Sequence, residues 1–103
     1  MKKKKYYVNF LGEKCQLVKD RYNTGGLCLN LICKNGEPMA TATVNMPCCG
    51  LNDGEICIKD YSENEGMLHS LLEAKIVQLA GRIIKSGFAE IPVVKLLIDP
   101  EEM

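Results

Sequence analysis

The chain has 103 residues, 47% of them hydrophobic and 25% charged, and thirteen basic residues balance thirteen acidic ones. That length suits one domain without room for a second independent core, and the composition excludes an intrinsically disordered chain. Zero net charge excludes a global field that would draw the protein onto nucleic acid or an anionic membrane, so any such binding has to be local. A single domain over residues 1–103 is expected, with a basic tail at 1–5 and a frayed tail at 99–103.

The strongest charge asymmetry comes first, where Lys2, Lys3, Lys4 and Lys5 precede Tyr6 and Tyr7. Lysines displace counterions condensed on phosphate backbones, which makes this segment a candidate nucleic-acid arm; its default role is a solvated tail. The next residues lack the apolar stretch of a signal peptide, and no run of about 18 apolar residues occurs, so a cytoplasmic protein with no membrane contact is expected. In that compartment the six cysteines are read as thiols. Cys15, Cys28, Cys33 and Cys57 lie in apolar runs as small buried hydrophobes, and Cys48 and Cys49 fall in a loop.

Residues 6–10 alternate as a strand, Leu11-Gly12 turns the chain, and residues 13–22 form a second strand. Cys15 and Leu17 share one parity while Val18 and Tyr22 share the other, which predicts a bulge midway. After a turn at residues 23–26, two apolar runs flank Lys34-Asn35-Gly36-Glu37, and Asn-Gly in that setting predicts a type I′ hairpin. With Lys34 facing Glu37, Leu31 pairs with Ala40, Leu29 with Ala42 and Leu27 with Val44 on an apolar face. Asn30 then meets Thr41, and Cys28 meets Thr43, on a polar one.

Residues 46–54 read as a loop, and residues 55–59 as a short strand with Ile56 and Ile58 facing one way. Ser62 and Glu65 fit a capping box that starts a helix, with Met67, Leu68, Leu71 and Leu72 as its apolar stripe; Leu68, Leu72, Leu79 and Ile83 would continue a stripe through Gly81, whereas β-branched Ile76 and Val77 and the helix cost of Gly81 favour a stop near Ala74. Extended pieces at 76–79 and 82–85, a turn at Ser86-Gly87 and a last strand from about Phe88 or Pro92 to Ile98 return the chain to the sheet. The fold class is α+β: an antiparallel β-sheet of about five to seven strands in a meander of hairpins, with one helix near residues 63–74.

Chemistry is sparsely encoded. Six cysteines and one histidine are enough ligands for zinc, yet no C-x2-4-C pair is present to wrap an ion, so no metal or cofactor is expected and a zinc-binding domain is an alternative. Cysteine catalysis needs a base, and His69, the one histidine, sits with Glu65 and Glu73 on the polar helix face. Asn23-Thr24-Gly25-Gly26 lacks the ending of a phosphate-binding loop and is followed by a strand. No catalytic residues are assigned. The remaining candidate is a recognition surface comprising Asp20, Arg21, Tyr22, Asn30, Thr41, Thr43, Asn45, Tyr61, Glu63 and Asn64, whose default reading is the solvated side of an antiparallel sheet.

The words Val18-Lys19-Asp20-Arg21-Tyr22, residues 35–47 (NGEPMATATVNMP), residues 61–66 (YSENEG) and residues 87–93 (GFAEIPV) resemble, in order and over nearly the whole chain, domain-of-unknown-function family 4313. That family comprises small bacterial proteins associated with conjugative and other mobile elements. The resemblance implies a setting rather than a reaction: transfer, or action against host defence. It implies no catalytic residue, and the Cys48-Cys49 pair belongs to none of its words. The function expected is a non-enzymatic, protein-binding accessory of a bacterial mobile element, an anti-defence or conjugation-related factor with a protein partner. The alternative is a nucleic-acid-binding accessory acting through Lys2, Lys3, Lys4 and Lys5.

Overall fold

A computed structural model of the chain describes residues 4–23, 26–45 and 54–103. Alternation of apolar and polar residues sets the first four strands, β1 (Tyr6–Phe10), β2 (Glu13–Arg21), β3 (Leu27–Ile32) and β4 (Pro38–Thr41), into one antiparallel sheet in chain order. A second antiparallel sheet has the order β5-β7-β6, from β5 (Glu55–Cys57), β6 (Val77–Ser86) and β7 (Ala89–Leu96). With one helix, α1 (Met67–Glu73), this is the expected α+β architecture. The expected loop at 46–54, with Cys48 and Cys49, lies outside the described residues except for Gly54.

The bulge expected in β2 is absent. Its pairings with β1 and with β3 run without a shift, and Val18 simply faces outward opposite Asn30. A β-branched residue on the solvated face suits a strand and costs little, so parity did not have to be restored.

The β3–β4 hairpin has the expected register by a different turn. Asn30 opposes Thr41 and Leu31 opposes Ala40, while Ala42 N–H donates to the Leu29 carbonyl at 2.8 Å. Cys33 N–H, however, donates to the Glu37 carbonyl, which leaves Lys34, Asn35 and Gly36 as a three-residue loop. Gly36 alone of these takes a positive φ, 86°. The Asn35 side chain accepts from Glu37 N–H and holds a normal turn, so the type I′ conformation is not needed. The odd residue is absorbed by a register shift between Leu31 and Ile32, where Ile32 opposes Pro38.

Beyond Ala42 the expected pairing ends, and Thr43 does not meet Cys28. Thr43 bridges to Ile58, Val44 N–H donates to the Cys57 carbonyl and Lys59 N–H to the Ala42 carbonyl. Residues 42–44 thus join the two sheets, and Val44 does not pair with Leu27. Ile58 also donates to the Pro92 carbonyl. Pro92 has no N–H to return, and the β5–β7 pairing closes at Cys57 opposite Val93.

One main core draws on both sheets and the helix: Val8, Phe10, Cys15, Leu17, Leu29 and Leu31 from the first sheet, Ile56, Ile58 and Val94 around the second, Met67 and Leu71 from α1. A smaller cluster of Cys57, Ile91 and Val93 lies on the other face of the second sheet, covered by Val44, Tyr61, Ala80 and Ile84.

The capping box does not form. Ser62 has φ 54°, incompatible with the extended conformation of an N-cap, and residues Ser62–Asn64 make a 3-10 turn instead. The α-helix starts after Gly66, and Asp60 supplies the missing acceptor: its Oδ1 accepts from Gly66 N–H at 3.2 Å and Leu68 N–H at 2.9 Å. The helix does stop at Ala74, as expected.

The two extended pieces expected after it are one strand, β6, interrupted by a register shift between Leu79 and Arg82. Gly81, at φ 80°, supplies the conformation that this bulge needs. The frayed tail is also corrected. Pro100–Glu102 form a 3-10 turn capped by the Asp99 carboxylate, Lys4 N–H donates to the Glu102 carbonyl, and Met103 packs on the main core.

Asp60→Ala is expected to lower unfolding free energy by about 1 kcal/mol in urea titrations, as loss of an N-terminal acceptor does, whereas Ser62→Ala stays within a few tenths of a kcal/mol.

Candidate functional site

The polar residues expected to form a recognition surface are divided by the fold between exposed and structural positions. Asp20 and Arg21 are exposed at the end of β2, where Arg21 lies 3.7 Å from Glu101. Asn45 and Glu63 are exposed, and Tyr61 is half-buried against the smaller cluster. Thr43 and Asn64 are buried, at 4% and 2% exposure, so they present no side chain to a partner.

Their burial is satisfied internally. Thr43 Oγ1 accepts from Leu29 N–H at 3.2 Å and lies 2.9 Å from the Tyr22 hydroxyl, which also donates to the Thr43 carbonyl at 3.1 Å. Asn64 Nδ2 donates to the Thr41 carbonyl, and Thr41 Oγ1 donates to Asn30 Oδ1 at 2.8 Å. Burial, aided by the Cys28 thiol, raises the Tyr22 phenol above its ordinary value, while the Thr43 hydroxyl pulls it the other way. Among the described residues no buried side-chain nitrogen or oxygen lacks a partner. Much of the polar face is therefore occupied in holding the sheets together.

Thr41, Glu63 and Asn64 do meet at a groove of about 380 Å³, lined also by Phe10, Leu11, Met39, Ala40 and Lys59. Its charged members are Lys59 and Glu63, an i,i+4 ion pair. The hydrogen bond from Lys59 holds the Glu63 carboxyl below its ordinary value, and the same bond raises the Lys59 ammonium. Both groups stay charged across neutral pH, which suits an ion pair and not proton transfer. His69 is exposed on α1, 3.2 Å from Glu73. Among the described residues no three His, Cys, Asp or Glu side chains converge on a metal position. Of the basic segment, Lys2 and Lys3 lie outside the described residues, Lys4 pairs with Glu102 at 3.2 Å, and Lys5 is exposed.

The exposed feature that sequence reasoning missed is the β6–β7 hairpin. Ser86 opposes Ala89 across the two-residue turn Gly87-Phe88, which leaves Phe88 fully exposed at the tip. Leu79 opposes Val94 and Ile83 opposes Pro92, two positions on one face of β7, yet Leu79 and Ile83 are 62% and 60% exposed. Val94 belongs to the main core, so the two side chains extend that apolar face past its rim. On its other edge β6 pairs with no strand among the described residues. The signal was present in Gly81, which breaks an apolar run into two, and in an aromatic next to a turn glycine.

Compared with protein-family models, curated proteins and solved structures, the chain matches none. Among the described residues no helix is long and apolar enough to cross a membrane.

Thr43→Val, which keeps the volume and removes the acceptor for Leu29 N–H, is expected to destabilise the fold by about 1–3 kcal/mol in chemical denaturation. Lys59→Met is expected to move the Glu63 carboxyl upward toward the ordinary glutamate range, followed by carboxyl-carbon NMR titration. The sign follows from the depressed folded value: the contribution of Glu63 is present above its unfolded pKa and is lost as pH falls through the folded one.

Proposed function

We propose that the chain is a non-enzymatic, protein-binding accessory that engages its partner through the β6–β7 hairpin. The observation that carries this reading is the exposed apolar strip of Leu79, Ile83 and Phe88 on one hairpin. Apolar side chains grouped beyond the rim of a core mark interaction sites, and aromatic residues are enriched where such interfaces bury their centres. The bulge at Gly81 and the charged Lys85 discourage indiscriminate pairing along the β6 edge, which leaves the apolar face as the docking element. The resemblance to domain-of-unknown-function family 4313 supplies the setting: an accessory of a bacterial mobile element, acting in transfer or against host defence within the cytoplasm.

Co-purification of the tagged full chain from a bacterial host lysate tests this reading. Wild type is expected to retain a stable protein partner that the Leu79→Ser, Ile83→Ser, Phe88→Ser triple variant loses, while that variant unfolds within about 1 kcal/mol of wild type because the replaced side chains are exposed. Retention of the same partner by the folded triple variant overturns the hairpin as the docking element. Turnover of a small molecule by purified protein, with no stable partner, overturns the binding role.

A further inference from the structure

Cys15 on β2 and Cys33, just past the end of β3, are cross-strand neighbours. The β2–β3 register opposes Leu17 to Leu31 and Gln16 to Ile32, and its next step opposes Cys15 to Cys33. The Leu29 carbonyl accepts from Ala42 N–H, and Cys33 N–H donates to the Glu37 carbonyl, so the odd-numbered residues of this strand turn their backbone groups away from β2. Cys15 and Cys33 therefore occupy a non-hydrogen-bonded position of the β2–β3 ladder, where opposing Cα atoms approach to about 4.5 Å and side chains are closest. That separation falls at the short end of the range of about 4.4–6.8 Å spanned by disulfides. Both thiols are free: that of Cys15 donates to the Glu13 carbonyl at 3.7 Å and that of Cys33 to the Met39 thioether. Cys28 opposes Asp20 on the other face of the sheet, and Cys57 belongs to the smaller cluster.

We propose that Cys15 and Cys33 are a site of reversible oxidative modification, closing to an intramolecular disulfide by exchange with a small-molecule disulfide of the glutathione type. Cys33 is half-buried and Cys15 fully buried, so Cys33 reacts first. Its thiolate attacks one sulfur of the small disulfide; one S–S bond breaks, a mixed disulfide forms, and the departing thiolate takes up the proton that Cys33 released. Cys15 then attacks the Cys33 sulfur and expels the second small thiol, which carries away the Cys15 proton. Two protein thiols are oxidised to one disulfide, and one small disulfide is reduced to two thiols. Burial, with the neighbouring Cys33 adding, raises the Cys15 thiol, so the second step is the slower one and quickens with rising pH. The Met39 thioether, 3.7 Å from Cys33 Sγ, lies over the more accessible thiol.

Incubation of the folded full-length protein with oxidised glutathione, alkylation of the remaining thiols, non-reducing digestion and tandem mass spectrometry test the proposal. Fragmentation within residues 22–34 separates Cys28 from Cys33. The expected result is a peptide pair linked through Cys15 and Cys33, loss of two alkylatable thiols, and recovery of both with dithiothreitol. Cys15→Ser is expected to arrest the reaction as a glutathione adduct on Cys33. Wild-type protein in which Cys15 and Cys33 are still fully alkylated after oxidation, or in which they join only to other cysteines, overturns the proposal without recourse to any variant.

Discussion

The fold depends on the junction at residues 42–44. Leaving β4, the chain still donates from Ala42 to Leu29 in the first sheet, and it accepts from Lys59 and donates to Cys57 at the second. Thr43 holds the junction, because its hydroxyl oxygen replaces a backbone acceptor for Leu29 N–H just where the strand turns away. A buried amide stripped of its ladder partner costs free energy comparable to a lost hydrogen bond, so a residue with a short side-chain acceptor is needed at this point. Both sheets can then share one core, with Leu29 and Leu31 from one and Ile58 and Val94 from the other.

Local chemistry elsewhere serves that shared core by ending regular pairing where it would conflict with burial. Pro92 leaves Ile58 without a return bond from β7, and the residues flanking Ile58 join the junction, with Val44 N–H donating to the Cys57 carbonyl and Lys59 N–H to the Ala42 carbonyl. The register shift at Leu31/Ile32 lets a three-residue turn deliver the same pairing of Leu31 with Ala40 that a two-residue turn would have required. Asn64 is drawn under the Thr41 carbonyl, which pulls residues 62–64 into a 3-10 turn and moves the start of α1 beyond Gly66. Each device exchanges a local preference for a satisfied polar group in the interior.

Function is constrained by the same accounting. Tyr22, Thr43, Asn30, Thr41 and Asn64 bond to one another or to backbone, and Lys59 and Glu63 neutralise each other across the groove. Recognition through those groups would require breaking contacts that the fold uses. Leu79, Ile83 and Phe88 carry no such obligation, since the β6–β7 hairpin projects them past the core into solvent.

Periodicity was sufficient for the α+β class and the apolar face of the β3–β4 hairpin, and β-branched Ile76 and Val77 with Gly81 for the stop of α1, because each is set by residues adjacent in sequence or paired across one short turn; the division into two sheets and the order β5-β7-β6 were not legible, since β5 pairs with a strand far along the chain. Asn35-Gly36 located its hairpin but not its turn type, which the Asn35 side chain decides by accepting from Glu37 N–H. Of the candidate surface, the exposure of Asp20, Arg21, Thr41 and Glu63 followed from strand and loop patterns, whereas Thr43 and Asn64 read as surface residues and are buried. Nothing local marks them, because their partners Leu29 and Thr41 lie 14 and 23 residues away. The exposed hairpin was hidden for the converse reason: Leu79 and Ile83 look like core in any window of sequence, and only the ending of the opposing layer leaves them uncovered. The sequence by itself determined which segments are strands and which faces are apolar; the tertiary structure decided which polar groups are consumed in joining two sheets and which apolar ones stay in solvent, since burial is a property of distant partners.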